Sequence, residues 1–309
     1  MTVPDLNAVV TLVNRISPWL MVLQVVPDGW TMPEFTPGQC VTIGLYGAAP
    51  RCDLAEPEPI PADPQHIIRR TYCIASSPTD REFLEFFIHL APHSALTPRL
   101  FALKIGDRIS LSSRVTGAFT FDGVPEEANV VLIATGTGLA PYVSMLSTHL
   151  RFGTQRRVAI LHGVRNSWDL GYRSILMTMQ RLRTNVTYVP VVSRPADEPV
   201  PWKGATGHVQ EVWKGPALGR AWGRRPTPDD THVFLSGSPH MIDDMARLLA
   251  GEGYREHSDE ASGQIHIERY WLASPTVARA SETVTPGLNT GRSKPTASGN
   301  ATETTDGAK

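Results

Sequence analysis

At Asn129 the hydrophobic pattern of the chain changes kind, and that change limits what the chain can fold into. Asn129-Val130-Val131-Leu132-Ile133-Ala134 is an unbroken apolar run, as expected of a strand buried on both faces. A Gly-Thr-Gly turn follows at Gly136–Gly138, and then a helical stretch from Ala140 to about Leu150. The unit recurs. Arg157 to Gly163 reads as a strand and Tyr172 to Arg183 as a helix; Val186 to Val192 is a third strand. Thr231 to Leu235 is a fourth, followed by a helix over Met241 to Ala250. Strands alternating with helices predict a mostly parallel sheet with crossovers. From Asn7 to about Asp122 the runs are instead short, apolar or alternating, and broken by Pro, Gly and Asp. Regularly spaced short strands predict a barrel or sandwich.

The chain therefore divides into residues 1–122 and 123–271, with Phe121 to Glu127 as the candidate hinge. Its 309 residues suit two domains at roughly 150 residues each. Tyr46 to Gln65, rich in Pro, Ala and Glu, reads as a long surface loop. Residues 272–309 carry no aromatic side chain; they bury too little apolar surface to offset chain entropy and are expected to be disordered. A net charge of −1 without a basic stripe speaks against nucleic-acid binding. No apolar run approaches the ~18 residues of a membrane helix. The first residues lack the basic and apolar regions of a secretory signal. Cys40, Cys52 and Cys73 show no CxxC spacing, so neither a zinc site nor a four-cysteine iron–sulfur cluster is expected. These features predict a cytoplasmic protein with reduced thiols.

Four motifs carry chemistry. Ala134-Thr135-Gly136-Thr137-Gly138-Leu139-Ala140-Pro141 lies where a buried strand meets a helix. Its glycines admit close backbone approach, and a helix N-terminus favours a phosphate. The spacing is not GxGxxG, so a plain glycine turn remains an alternative. In Arg70-Thr71-Tyr72-Cys73, Arg70 and Tyr72 share one strand face; they suit a phosphate and an aromatic ring, or an ordinary strand. Arg69 could also take the role, but only Arg70 shares a face with Tyr72. Ser236-Gly237-Ser238-Pro239-His240 is a second strand-to-helix junction, or simply a helix cap. Glu268-Arg269-Tyr270-Trp271 ends in two aromatics that pack a core edge or cover a flat ring.

These motifs stand in the order used by the ferredoxin–NADP reductase superfamily. The chain resembles the bacterial ferredoxin/flavodoxin–NADP reductases, especially those ending in Tyr-Trp, over about residues 5–271. Phe35-Thr36-Pro37-Gly38-Gln39, Leu96-Thr97-Pro98-Arg99-Leu100, Gly106-Asp107, Thr116-Gly117-Ala118-Phe119 and Val191-Val192-Ser193-Arg194 extend the likeness. The resemblance implies an N-terminal antiparallel Greek-key β-barrel for FAD and a parallel-sheet α/β domain for NADP(H). It assigns the FAD pyrophosphate to Arg70 and the flavin to Tyr72, with Thr71 between them. Phe87, Ile88, His89, Leu90, Ala95, Leu96 and Thr97 would line the flavin and its phosphates. Thr137 falls near the flavin–nicotinamide junction, and Tyr270 and Trp271 over a flavin face. Cys73 occupies the position of a Ser or Thr hydroxyl near flavin N5. A thiol is a weaker hydrogen-bond partner, so the change bears on the rate of hydride transfer more than on FAD binding. Ser236 replaces a family Cys near the nicotinamide, which implies tuned activity.

For NADP(H), the resemblance implicates Gly136, Gly138, Arg165, Asn166, Ser193, Arg194, His208, Ser236, Gly237, Ser238 and Pro239. No acidic residue ends the second strand, where an NAD enzyme would bind both ribose hydroxyls. Two guanidiniums suit a 2′-phosphate dianion. Gly207-His208 stands where relatives have Gly-Arg, so His208 faces either the phosphate or solvent. Cys73, Ser236 and Trp271 are the implied catalytic positions, with Glu268 a candidate for proton exchange. The implied activity is hydride exchange between NADP(H) and FAD, coupled to ferredoxin or flavodoxin, by a monomer. A reductase component of an oxygenase, served by a separate iron–sulfur protein, is the alternative.

Overall fold

Alternating short strands form the first sheet of the computed structural model, which describes residues 5–149, 156–258 and 260–269. The strands are β1 (Ala8–Ser17), β2 (Leu20–Pro27), β3 (Cys40–Tyr46), β4 (Ile67–Cys73), β5 (Leu84–His89) and β6 (Arg108–Thr116). Their order is β4-β3-β6-β1-β2-β5, with every pairing antiparallel. A bridge from Ile74 to Phe86 links the two edge strands and closes the sheet into a barrel. Val10, Met21, Leu23, Val41, Ile43 and Phe86 turn inwards as the barrel core, joined by Leu100 and Phe101 of helix α1 (Thr97–Ala102).

The expected long loop between β3 and β4 is present, and a buried cation pins it. Arg99 of α1 donates to Gly47 O at 3.1 and 2.6 Å, to Ala95 O at 2.6 Å, and to the Glu58 carboxylate. Arg51 lies 3.6 Å from the same carboxylate. Burial pushes the Glu58 carboxyl up, but hydrogen bonds from Arg99 and the Ala62 N–H outweigh it, and the net shift is downward.

The second sheet is wholly parallel. Its elements run β7 (Asn129–Thr135), α2 (Ala140–His149), β8 (Val158–Val164), α3 (Arg173–Leu182), β9 (Val186–Val192), β10 (Ala205–Thr206), α4 (Val209–Lys214), α5 (Ala217–Trp222), β11 (Thr231–Ser236), α6 (Pro239–Gly251) and β12 (Ile265–Ile267). The order is β10-β9-β8-β7-β11-β12. The expected strands and helices all occur, shifted by a residue or two at their ends. β10 and β12 are two and three residues long, too short to carry a periodic signal. No helix among the described residues is long and apolar enough to cross a membrane. Tyr270, Trp271 and residues 272–309 lie outside the described residues.

One apolar cluster joins the two sheets. Leu20, Val22, Ala75 and Phe87 of the first pack with Leu132, Leu139, Tyr142, Ile160 and Phe234 of the second. The candidate hinge is part of this packing. Phe121 meets Phe234 at 5.2 Å and His149 at 5.2 Å, and Val124 and Ala128 are buried. Polar bonds stitch the same seam: Ser144 Oγ donates to Ser76 O at 2.7 Å, and Tyr172 OH to Glu85 at 2.7 Å.

Arg99→Ala leaves the buried Glu58 carboxylate without its main partner, and removing one partner of a buried ion pair costs about 3–5 kcal/mol. Denaturant unfolding should show that loss, whereas Arg108→Ala, at the half-exposed Arg108–Asp28 pair, should cost under about 1 kcal/mol.

Candidate functional site

The sheet order reverses between β7 and β11, and in open parallel sheets ligands bind outside the carboxyl ends of strands at such a point. Two turns meet there. A Cβ on Gly138 would lie 2.5 Å from Ser236 O and 2.7 Å from Gly237 N, so only glycine lets the turns approach. Gly237 has φ +133° and its Cβ would meet Thr135 Oγ1 at 2.2 Å. Thr135 Oγ1 also accepts from Ser238 N at 2.8 Å. Ser238 caps α6 by accepting from Met241 N, with Pro239 in the first turn. Both readings of this motif therefore apply: it is a helix cap and part of the crevice. Gly136, at φ +53° with nothing within 4 Å of a built Cβ, and the half-buried Thr137 open the first turn towards solvent. Ser236 is buried at its foot.

His162, which sequence alone did not single out, holds that turn from below. It is fully buried; Nε2 donates to Gly136 O at 3.1 Å and Nδ1 accepts from Tyr188 OH at 3.4 Å. The carbonyl can only accept, which places the proton on Nε2. Burial lowers its pKa to about 4, so the imidazole is neutral.

The barrel meets this crevice through Cys73. Register pairs Cys73 with Cys40 across β3 and β4. The ligating atoms of Cys40, Cys73 and Glu268 all lie within 4.8 Å of one another. Glu268 follows β12, and its N–H donates to Leu235 O at 3.0 Å, next to Ser236. A barrel thiol, a carboxyl from the last strand and the β11 turn thus converge. A hydrogen bond with Cys40, then burial, hold the Cys73 thiol well above its ordinary range. Burial raises Glu268 to about 7, where a carboxyl can take up or release a proton at neutral pH. Cys40 was not legible as a site residue, because only strand register sets it opposite Cys73.

On the barrel, Arg70 is exposed and meets no carboxylate in an ion pair among the described residues; its Nη1 donates to Arg69 O at 2.7 Å. Tyr72 packs edge-on to Phe86 at 6.4 Å, and burial raises its pKa. Thr71 Oγ1 lies 3.1 Å from Thr42 Oγ1. Phe87 is buried against Tyr172, Ile88 and Leu90 are buried in the barrel core, and His89 is exposed. Thr97 opens α1 and bonds Ser94 and the Ala91 N–H, with Ala95 half-buried and Leu96 buried beside it.

The expected phosphate-reading residues cluster at the other end of the sheet. Arg194 N donates to Arg165 O at 2.9 Å, and Ser193 N to Val164 O at 3.0 Å, which ties the loops after β8 and β9 together. Gly207 N donates to Val192 O at 3.0 Å, bringing exposed His208 to the same edge. Arg165 and Arg194 are exposed and form no ion pair among the described residues. Asn166 Nδ2 is buried without a hydrogen-bond partner among the described residues. His208 N donates to Glu211, so the residue also starts α4.

The parallel sheet thus carries a crevice at its switch point, beside a barrel that presents the exposed Arg70. The family model described as an oxidoreductase NAD-binding domain matches residues 132–247. The flavodoxin/ferredoxin–NADP reductase of Shigella flexneri is 30% identical over 206 residues, 66% of this chain and 81% of that protein. The reductase component of phenol 2-monooxygenase from Pseudomonas sp. strain CF600 is 26% identical over 281 residues, 90% of this chain and 69% of that protein. A crystal structure of a ferredoxin–NADP+ reductase from Neisseria gonorrhoeae with bound FAD and NADP superposes with a TM-score of 0.70 at 25% identity, covering 85% of this chain and 97% of that one. The chain belongs to the flavodoxin/ferredoxin–NADP reductase family.

The raised pKa of Glu268 predicts a stability profile. Unfolded, the carboxyl loses its proton near 4.5; folded, near 7. Between those values the folded state binds the extra proton, so stability falls as pH rises through that window and levels off above it. The whole difference amounts to roughly 3 kcal/mol. In unfolding measurements on the flavin-free protein between about pH 5 and 8, Glu268→Gln should flatten this part of the decline.

Proposed function

We propose that the chain holds FAD on the barrel lobe, residues 1–122, and NADP(H) on the parallel-sheet lobe, residues 123–271, and moves electrons between NADP(H) and ferredoxin or flavodoxin. The observation that carries this reading is the convergence of Cys73, Glu268 and the pinched β7 and β11 turns. It gives one place where a ligand on the barrel and a ligand on the parallel sheet can touch.

The residues fit both ligands. Arg70 is a guanidinium without a carboxylate partner among the described residues, suited to a pyrophosphate, and Tyr72 offers a ring beside it. The Gly136–Gly138 turn leaves open space for a second pyrophosphate. Among the described residues the buried Asn166 amide has an unused donor, and Arg165 and Arg194 present two guanidiniums without an ion-pair partner for a 2′-phosphate. FAD, when bound, supplies the coupling of two-electron hydride chemistry to one-electron transfer. The chain does the rest. Arg70 and Tyr72 fix the barrel ligand. The β7 and β11 turns orient the nicotinamide end over Ser236. Glu268 holds a proton on its carboxyl near neutral pH, beside the Cys73 thiol. All these residues come from one chain, so a monomer suffices.

A second reading, the reductase component of an oxygenase, is favoured by the likeness to the phenol 2-monooxygenase reductase component along nine-tenths of the chain. With three cysteines, this chain lacks the four that a cysteine-ligated cluster takes, so that role needs a separate iron–sulfur protein. Reduction of cytochrome c by NADPH, mediated by added ferredoxins or flavodoxins, separates the readings. Turnover with general carriers supports the first; turnover only with an oxygenase's own ferredoxin supports the second.

Two results are expected of variants. The purified protein should be yellow, and Arg70→Ala should lose its flavin on dialysis while the wild type keeps it. Arg165→Ala or Arg194→Ala removes a charge-assisted bond worth roughly 1.5–3 kcal/mol, so NADPH affinity should fall about ten- to a hundredfold with NADH kinetics unchanged. Equal losses for both nucleotides would assign these arginines to the fold.

A further inference from the structure

We propose that Cys40 and Cys73 form a redox-active dithiol that a peroxide converts into an intramolecular disulfide. The sheet itself sets the geometry. Ile74 N donates to Gln39 O at 3.0 Å, which makes Gln39 and Ile74 a hydrogen-bonded pair and the adjacent Cys40 and Cys73 a non-hydrogen-bonded one. Such pairs bring Cα atoms to about 4.5 Å with their side chains on one face. That separation lies within the ~4.4–6.8 Å over which a disulfide forms. The next pair of the same kind on that face, Thr42 and Thr71, already touches tip to tip at 3.1 Å. The Sγ atoms of Cys40 and Cys73 lie within 4.8 Å of one another, and both thiols are free. Bond formation therefore asks for rotation about χ1 and little movement of backbone.

The two cysteines differ in access. Cys40 is 5% exposed, whereas Cys73 is only partly buried. Cys73 therefore meets the oxidant and Cys40 resolves the product. Cys73 is a neutral thiol at rest and needs a proton acceptor to become the nucleophile. The Glu268 carboxylate is within 4.8 Å of both sulfurs. In the first step Glu268, in its deprotonated form, takes the Cys73 proton, the thiolate sulfur attacks one peroxide oxygen, and the O–O bond breaks. Cys73 becomes a sulfenic acid, and the departing hydroxide leaves as water with that proton. In the second step the Cys40 sulfur attacks the Cys73 sulfur; the S–S bond forms, the S–OH bond breaks, and the second water carries away the Cys40 proton. Two thiols are oxidised by two electrons, and one hydrogen peroxide is reduced to two waters. Cys52 lies in the loop after β3, where its N–H bonds Pro98 O, and is an internal control.

The test runs in parallel on the flavin-loaded and the flavin-stripped protein, because the proposed flavin seat lies beside Cys73; each is first reduced and then exposed to hydrogen peroxide at a dose that fully oxidises free cysteine, and the link is required in the stripped protein. Intact mass, alkylation and peptide mapping follow. Two of the three thiols should disappear, and the mass should drop by two hydrogens. One peptide pair should join Cys40 to Cys73, and dithiothreitol should restore both thiols. Cys52→Ser should behave in the same way. Cys40→Ser should form no disulfide and should carry Cys73 on to the sulfinic acid. The wild-type map needs no variant, so a misfolded Cys40→Ser leaves the test intact. Survival of all three thiols would overturn the proposal, as would a link through Cys52 or between molecules, or sulfinic Cys73 beside an intact Cys40. The linkage is read by mass and flavin content by visible absorption. A colourless protein that still forms the link would count against the FAD seat and leave the dithiol standing.

Discussion

The structure depends on an apolar seam that neither sheet could bury alone. Phe119 sits in it, 5.9 Å from Tyr142 and 5.3 Å from Phe234, and Phe121 meets Phe234 from the side. Transfer of such aromatic surface out of water contributes more than any single polar bond across the seam. The seam fixes the barrel against the parallel sheet. Ser76–Ser144 and Glu85–Tyr172 then add direction to that contact rather than most of its energy.

That constraint creates the site. Cys73 stands at the end of a barrel strand, and Glu268 at the end of the last strand of the other sheet. Only a fixed relation between the sheets can hold them within 4.8 Å. Low exposure follows from the same packing; it raises the proton affinity of Glu268, and for Cys73 it adds to the hydrogen bond with Cys40. The pinch between Gly138 and Ser236 depends in turn on β7 and β11 being neighbours. A side chain at Gly138 would push apart the two turns that line the crevice.

Much of this was legible in the sequence, for physical reasons that vary by element. β7 and β8 announce themselves because strands buried on both faces need continuous apolar runs. The barrel strands are visible through alternation and turn residues, whereas Arg165 and Arg194 stand out only through the family resemblance, since each alone reads as a solvated surface charge. What escaped the sequence depends on register or on distant neighbours. Cys40 belongs to the site only because β3 pairs with β4 at sum-matched positions. His162 looks like one more residue of a strand until its bond to Gly136 O is seen. Phe121 to Glu127 reads as a hinge because it is rich in Gly, Pro and acidic residues, yet Phe121, Val124 and Ala128 pin it into the seam.

On the proposed function, a nicotinamide on the parallel sheet reaches a flavin on the barrel at the Cys73–Glu268 junction. Rapid anaerobic mixing of the flavin-loaded protein with NADPH, without any carrier present, tests it most directly. The account predicts that the visible absorption of oxidised flavin bleaches in a single turnover, faster with NADPH than with NADH. A protein that keeps its flavin and binds NADPH, yet shows no bleaching, would contradict it.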